Sequence, residues 1–135
     1  MNVTVFGVFD LLHEGHQVFL QQAAAIGDTL TVITPLDATV EQLKGQLPEQ
    51  DFATRKSQLE AVNAVTTVLA GDTHLGSYQS LRKANPDLIY LGYDQRDLEE
   101  SLRDFLQEEQ LDIPIKIGIS HDPDRYKTSI LRQQL

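Results

Sequence analysis

Short apolar runs alternate with longer amphipathic stretches from the first residues onward. Val3, Val5 and Phe6 form a β-type run that ends at Gly7. Residues 13–26 follow with Val18, Phe19, Ala23 and Ile26 at helical spacing, and Gly27-Asp28 closes the stretch. Residues 30–33 are rich in β-branched side chains and predict a second strand. A polar region containing Gly45 and Pro48 reads as a partly helical loop. Residues 52–63 predict a helix with Leu59 and Val62 on one face, and residues 66–69 a third strand. Residues 78–84 predict a helix stopped by Asn85-Pro86, followed by a fourth strand over 88–91. Residues 97–109 form an acidic amphipathic helix carrying Leu98, Leu102, Phe105 and Leu106. A fifth strand falls within residues 113–119, and a short last helix starts at Thr128.

Strands that alternate with helices predict an α/β fold, a Rossmann-like three-layer sandwich with a mostly parallel five-stranded sheet. With 135 residues and no linker, repeat or low-complexity segment, residues 1–135 read as one domain. Such sheets bind ligands beyond the carboxyl ends of their strands. The absence of cysteine excludes a disulfide scaffold, a thiolate metal site and a thiol nucleophile. No apolar run approaches the roughly 18 residues of a membrane span. The first residues enter a strand directly, with no basic segment ahead of an apolar one, so a cytoplasmic chain is expected. Eleven basic residues against 20 acidic ones leave a net charge of −9 and no global basic footprint for nucleic acid. An anionic substrate therefore requires its cations to be gathered in one place.

The place is marked by Gly7-Val8-Phe9-Asp10-Leu11-Leu12-His13-Glu14-Gly15-His16, where the first strand hands over to the first helix. A glycine there lets backbone N–H groups approach an anion, and the helix N-terminus adds its positive dipole end. His13 and His16 are three residues apart and share a face of the first turn. Two imidazoles so placed can hydrogen-bond phosphates, as neutral donors or as cations. Gly-x-Gly-x-x-Gly is absent after the first strand, which argues against a dinucleotide-binding dehydrogenase. His74, His121 and the acidic pairs Glu99-Glu100 and Glu108-Glu109 read as solvated surface.

The decapeptide resembles the nucleotidyltransferase signature Gly-x-Phe-Asp-x-x-His-x-Gly-His, and Gly7, Phe9, Asp10, His13, Gly15 and His16 all match it. The chain is similar to the cytidylyltransferase-like branch, which includes glycerol-3-phosphate cytidylyltransferases and archaeal-type FAD synthetases. Gly27-Asp28 resembles the start of the family's second strand. Asp37 and Lys44-Gly45 resemble its lysine loop, and Arg55-Lys56 the arginine of its central helix. Gly92-Tyr93-Asp94-Gln95 resembles the corner beside the nucleoside, and Arg125-Tyr126-Lys127-Thr128-Ser129 the terminal phosphate-binding signature. There are two departures: Gln46 stands where some members carry a second lysine, and the terminal segment lacks the usual run of small residues.

The resemblance implies catalytic roles for His16, His13 and Lys44. It implies nucleotide contacts for Gly7, Val8, Phe9, Asp10, Gly15, Gly92, Asp94, Arg125, Thr128 and Ser129, and acceptor contacts for Asp10, Lys44 and Arg55. The partners expected are CTP or ATP, a phosphorylated small-molecule acceptor and a second copy of the chain in a homodimer. No resident metal is expected, because Mg²⁺ rides on the triphosphate. The chemistry is an in-line attack of a phosphate oxygen on the α-phosphorus, in which positioning and electrostatics suffice. Glycerol-3-phosphate cytidylyl transfer is the leading expectation. The alternatives are ATP-dependent adenylylation of FMN, or a nucleotide-binding module that has lost catalysis, as Gln46 and the terminal segment suggest.

Overall fold

The structure is a computed structural model and describes residues 1–118. Its five strands are β1 (Asn2–Phe6), β2 (Thr29–Thr34), β3 (Thr67–Ala70), β4 (Leu88–Leu91) and β5 (Ile115–Ile117). They form one sheet in the order β3-β2-β1-β4-β5, and every pairing is parallel. Helices α1 (Glu14–Ala24), α2 (Asp37–Lys44), α3 (Phe52–Glu60), α4 (Gln79–Ala84) and α5 (Arg96–Glu108) fill the crossovers. The terminal helix expected from Thr128, and with it Arg125, Thr128 and Ser129, lies outside the described residues.

The period-two side-chain alternation of the strands sorts the core into two layers. Val3 and Val5 of β1, Leu30 and Val32 of β2 and Leu88 and Tyr90 of β4 face Leu20 and Ala23 of α1 and Leu59 of α3. Phe6, Ile33, Ile89 and Leu91 point to the other face, against Leu81 and Ala84 of α4 and Leu102, Phe105 and Leu106 of α5. Helices on both faces of a parallel sheet make the expected three-layer sandwich.

The order of the strands decides where a ligand fits. From β1 the chain first adds strands on one side, β2 then β3, and later on the other, β4 then β5. The crossover helices therefore part on opposite faces next to β1. They leave a crevice beyond the carboxyl ends of β1 and β4, the topological switch point of the sheet. Phe6-Gly7 and Leu91-Gly92 stand at those two ends.

Helix boundaries have local causes. Asp51 accepts the Thr54 amide at 2.8 Å and caps α3. Gly45, at φ +81°, ends α2 in the left-handed conformation that glycine adopts freely. The region read as a partly helical loop thus contains a full two-turn helix, α2, running up to Lys44. Among the described residues no helix is long and apolar enough to cross a membrane.

Candidate active site

The motif loop between β1 and α1 is built on constrained backbone. Phe9 and Leu11 sit at φ +53° and +55°, a region that side chains with a Cβ seldom occupy. The Phe9 ring folds back over Gly7, where an added Cβ would lie 2.6 Å from the ring edge. Glycine at position 7 is therefore required by the close approach of Phe9. The buried ring then packs edge-on against His16 at 5.3 Å and beside Phe19 at 6.4 Å. The Gly7 amide itself is spent on the sheet, donating to the Ile33 carbonyl at 3.2 Å.

His13 and His16 open α1 as a reciprocal cap. The Gly15 amide donates to His13 Nδ1 at 3.1 Å, and the His13 amide donates to His16 Nδ1 at 3.2 Å. The two rings stack with centroids 3.7 Å apart and planes 20° apart. Because each Nδ1 accepts a backbone proton, the ring proton of each neutral imidazole must sit on Nε2. The pair thus presents Nε2–H donors at a helix N-terminus. Burial, then the His13 ring, then the Lys44 ammonium push His16 down to about 4, against a smaller opposing pull from Asp10. His16 is therefore a neutral donor at physiological pH. The same interactions show that His13, His16, Lys44 and Asp10 share one electrostatic neighbourhood.

This arrangement makes stability depend on pH. The unfolded imidazole titrates near 6.5 and the folded His16 near 4. Between these values the unfolded chain binds a proton that the native chain does not. The stabilisation is complete above about 6.5 and is lost as the pH falls toward 4. Thermal melts of the native chain and of His16→Asn across this window are expected to show a steeper fall of Tm in the native chain. Parallel profiles would show that His16 is not held neutral.

The lysine-bearing segment is tied to the motif by three residues. The two oxygens of the Asp10 carboxylate accept the Glu49 amide at 2.7 Å and the Gln50 amide at 2.9 Å. The Leu11 amide donates to Gln50 Oε1 at 3.0 Å. Arg55 completes the tie from beneath. Its Nε donates to the Gln50 carbonyl, Nη1 to the Val8 carbonyl and Thr34 Oγ1, and Nη2 to the Pro35 carbonyl and Asp37 Oδ1, at 2.8–3.2 Å. The side chain is fully buried.

The structure corrects the expectation that Arg55 meets the acceptor. A guanidinium has five N–H donors, and all of them are committed inside the protein. Arg55 instead positions the motif loop, the start of α2 and the start of α3. Asp10, expected at both substrates, likewise spends one bond from each oxygen on the loop that follows Lys44. Val8 offers its carbonyl to Arg55 and to the Thr34 hydroxyl. Lys44 itself is exposed at the end of α2.

The β4 corner faces the same crevice. The Gly92 amide donates to Gln95 Oε1 at 2.8 Å, and Gln95 Nε2 donates to the Phe6 carbonyl at 2.9 Å. Gln95 thereby staples the end of β4 to the end of β1 across the switch point. A Cβ on Gly92 would lie 2.8 Å from Asp94 Oδ1 and 3.7 Å from the Phe19 ring. Asp94 is exposed beside it. Sequence reasoning gave no role to Gln50 or Gln95, since a glutamine in a polar segment carries no signal of its own.

A second concavity, of about 410 Å³, lies at the opposite, amino-terminal end of the sheet, lined by Asn2, Thr29, Thr31, Lys83 and Asp87 among others. Asn2 there bonds Thr29, Thr31 and the Ala84 carbonyl. Asn2, Thr29 and Thr31 thus serve one another, and the groove lacks the paired histidines.

The model of the cytidylyltransferase-like family matches residues 4–134. A protein of Thermococcus sibiricus named FAD synthase is 36% identical over 136 residues, spanning 100% of this chain and 92% of its own. Its namesakes in Thermococcus onnurineus and Pyrococcus abyssi are 38% and 39% identical, with 100% and 96% of this chain covered and 91% and 88% of theirs. Among solved structures, the lipopolysaccharide core biosynthesis protein from Thermoplasma volcanium superposes with a TM-score of 0.81 at 28% identity, covering 90% of this chain and 98% of that one. Pantoate-beta-alanine ligase from Francisella tularensis shares the fold, with a TM-score of 0.60 at 13% identity over 90% of this chain and 60% of its own.

Proposed function

Because the chain belongs to the cytidylyltransferase-like family of nucleotidyltransferases, we propose that it transfers AMP from ATP to FMN, giving FAD and pyrophosphate. The observation that carries this reading is the end-to-end similarity, at 36–39% identity, to proteins named FAD synthase. It favours the adenylyl alternative over glycerol-3-phosphate cytidylyl transfer, which the sequence placed first. The corner at Gly92-Tyr93-Asp94-Gln95 supports the same choice, since it departs from the Gly-Asp-Asp of typical cytidylyltransferases.

In this mechanism a phosphate oxygen of FMN attacks the α-phosphorus of ATP. The bond from that phosphorus to the bridging oxygen breaks, and pyrophosphate leaves with the electron pair. Negative charge grows on the oxygens around phosphorus, and preformed donors lower the barrier most where that charge develops. His16 donates from Nε2 to a non-bridging α-oxygen, and His13 donates beside it. Lys44 brings the net positive charge that the neutral His16 lacks. The attacking phosphate is already anionic, so the site needs no strong base. Mg²⁺ enters as part of the substrate, MgATP, and neutralises phosphate charge there. Among the described residues no three His, Cys, Asp or Glu side chains group as a metal cage.

The direct test is chromatographic detection of FAD alongside pyrophosphate release. The purified chain receives MgATP or MgCTP with FMN or glycerol 3-phosphate. FAD and pyrophosphate in equal amounts, with ATP alone as donor, are the expected products. Turnover of CTP with glycerol 3-phosphate, and none with FMN, would overturn the proposal. Light scattering on the same sample checks the homodimer that the resemblance implies.

A further inference from the structure

The proposed acceptor combines an anionic phosphate with a flat, largely apolar ring system, and the histidine pair with Lys44 suits only the phosphate. Three of the exposed large apolar side chains, Leu11, Leu43 and Leu47, lie on the motif loop and the lysine-bearing segment, while Met1, Leu75 and Tyr93 lie elsewhere. Leu43 and Leu47, at 58% and 57% exposure, flank Lys44 at the end of α2 and in the turn beyond it. Leu11 in the motif loop is exposed by 50%. The Asp10 and Gln50 bonds lay the segment after Leu47 alongside Leu11. Leu11 stands two residues before His13 in the motif loop, so the two hydrogen-bonded segments adjoin the histidine pair. Leucines scattered singly over a surface need no explanation. Three that lie on the lysine-bearing segment and the motif loop, two segments locked together by hydrogen bonds, form an amphiphilic surface of phosphate ligand plus apolar shelf.

Resting on the reading of the chain as an FMN adenylyltransferase, we infer that Leu11, Leu43 and Leu47 are the shelf on which the isoalloxazine ring of FMN docks while Lys44 holds its phosphate. The charge pattern selects this occupant. A small alcohol phosphate would use the cation and leave the leucines wet, whereas a flavin phosphate uses both. Apolar contact of this kind acts through buried area and is non-directional. It therefore sets affinity for the acceptor and leaves the chemical step alone.

The test compares the native chain with a Leu43→Ser/Leu47→Ser double variant. Both residues are exposed, so the fold is expected to survive, as a melt will show. FMN affinity is read from quenching of flavin fluorescence in the presence of a non-hydrolysable ATP analogue, and KM is read for FMN and for ATP. The expected result is a rise of about tenfold or more in Kd and KM for FMN. KM for ATP stays within about twofold, and turnover of ribitol 5-phosphate, which keeps the phosphate and lacks the ring, is unchanged. Native-level FMN affinity in the double variant would overturn the shelf and leave the FMN reading intact. Dissociation of a dimer by the substitutions, with FMN affinity unchanged, would also overturn it by assigning the leucines to a second copy of the chain. Failure of the native chain to bind FMN at all would remove the FMN reading itself.

Discussion

His16→Asn is expected to lower kcat for FAD formation by roughly 10²–10³-fold, the usual cost of removing one donor aimed at developing charge. Asparagine separates the observed cap from the proposed donor role of His16. Its amide oxygen takes the place of Nδ1, which accepts the His13 amide at 3.2 Å, so the start of α1 stays capped. Nothing in asparagine reaches the position of Nε2. His16→Gln makes the opposite trade. Its longer amide extends toward Nε2 and supplies a donor, but the cap is lost and the stacked contact with His13 at 3.7 Å is loosened. Glutamine should therefore retain more activity than asparagine and melt lower. The check is steady-state kinetics at saturating FMN and ATP, with circular dichroism melts on the same preparations. Native turnover in the asparagine variant would remove Nε2 from the mechanism. A melt as low as that of the glutamine variant would show that the cap is not preserved.

The split between the ring nitrogens marks the boundary of what the amino-acid sequence discloses. The spacing of His13 and His16 places two imidazoles on one face of a helix start, and their position after the first strand places them at the sheet's carboxyl edge. Whether they act as cations or neutral donors stays open at that level. For His16 it is decided by the backbone amide that occupies Nδ1 and by burial against Phe9, both products of the folded loop. The strands were legible because short apolar or β-branched runs bounded by turn residues are a local signal, as in Val3, Val5 and Phe6 ending at Gly7. Helix α2 was not, because it has few apolar positions and buries only Thr39 and Val40. Gln50 and Gln95 were silent for a related reason. Their partners are backbone groups 39 and 89 residues away, and no local pattern encodes such a pairing.

Arg55 is the residue for which sequence reasoning and structure differ most, and its replacement is expected to have the largest effect on stability. A basic side chain on a short helix reads as a surface group or a phosphate ligand, because arginine is seldom buried without partners. Here the partners exist, but they are three carbonyls, a hydroxyl and one carboxylate from four separate segments. Arg55→Leu fills part of the volume and supplies no donor. It leaves the Asp37 carboxylate and the carbonyls of Val8, Pro35 and Gln50 facing an apolar side chain. Breaking a buried pair from one side costs about 3–5 kcal/mol. The lower end applies, because Asp37 keeps 36% exposure and can turn to water. At roughly 4 °C per kcal/mol, where the ranges for smaller and larger domains meet, Tm should fall by about 10 °C. Arg55→Lys offers three donors from one point in place of a planar fork and should recover only part of that loss. The expected kinetic signature, measured well below the lowered Tm, is a fall in kcat with KM for FMN little changed. That pattern follows if Arg55 acts through the backbone at Val8 and Gln50 and touches no acceptor. A selective rise in KM for FMN with native Tm would restore the expectation that Arg55 binds the acceptor phosphate.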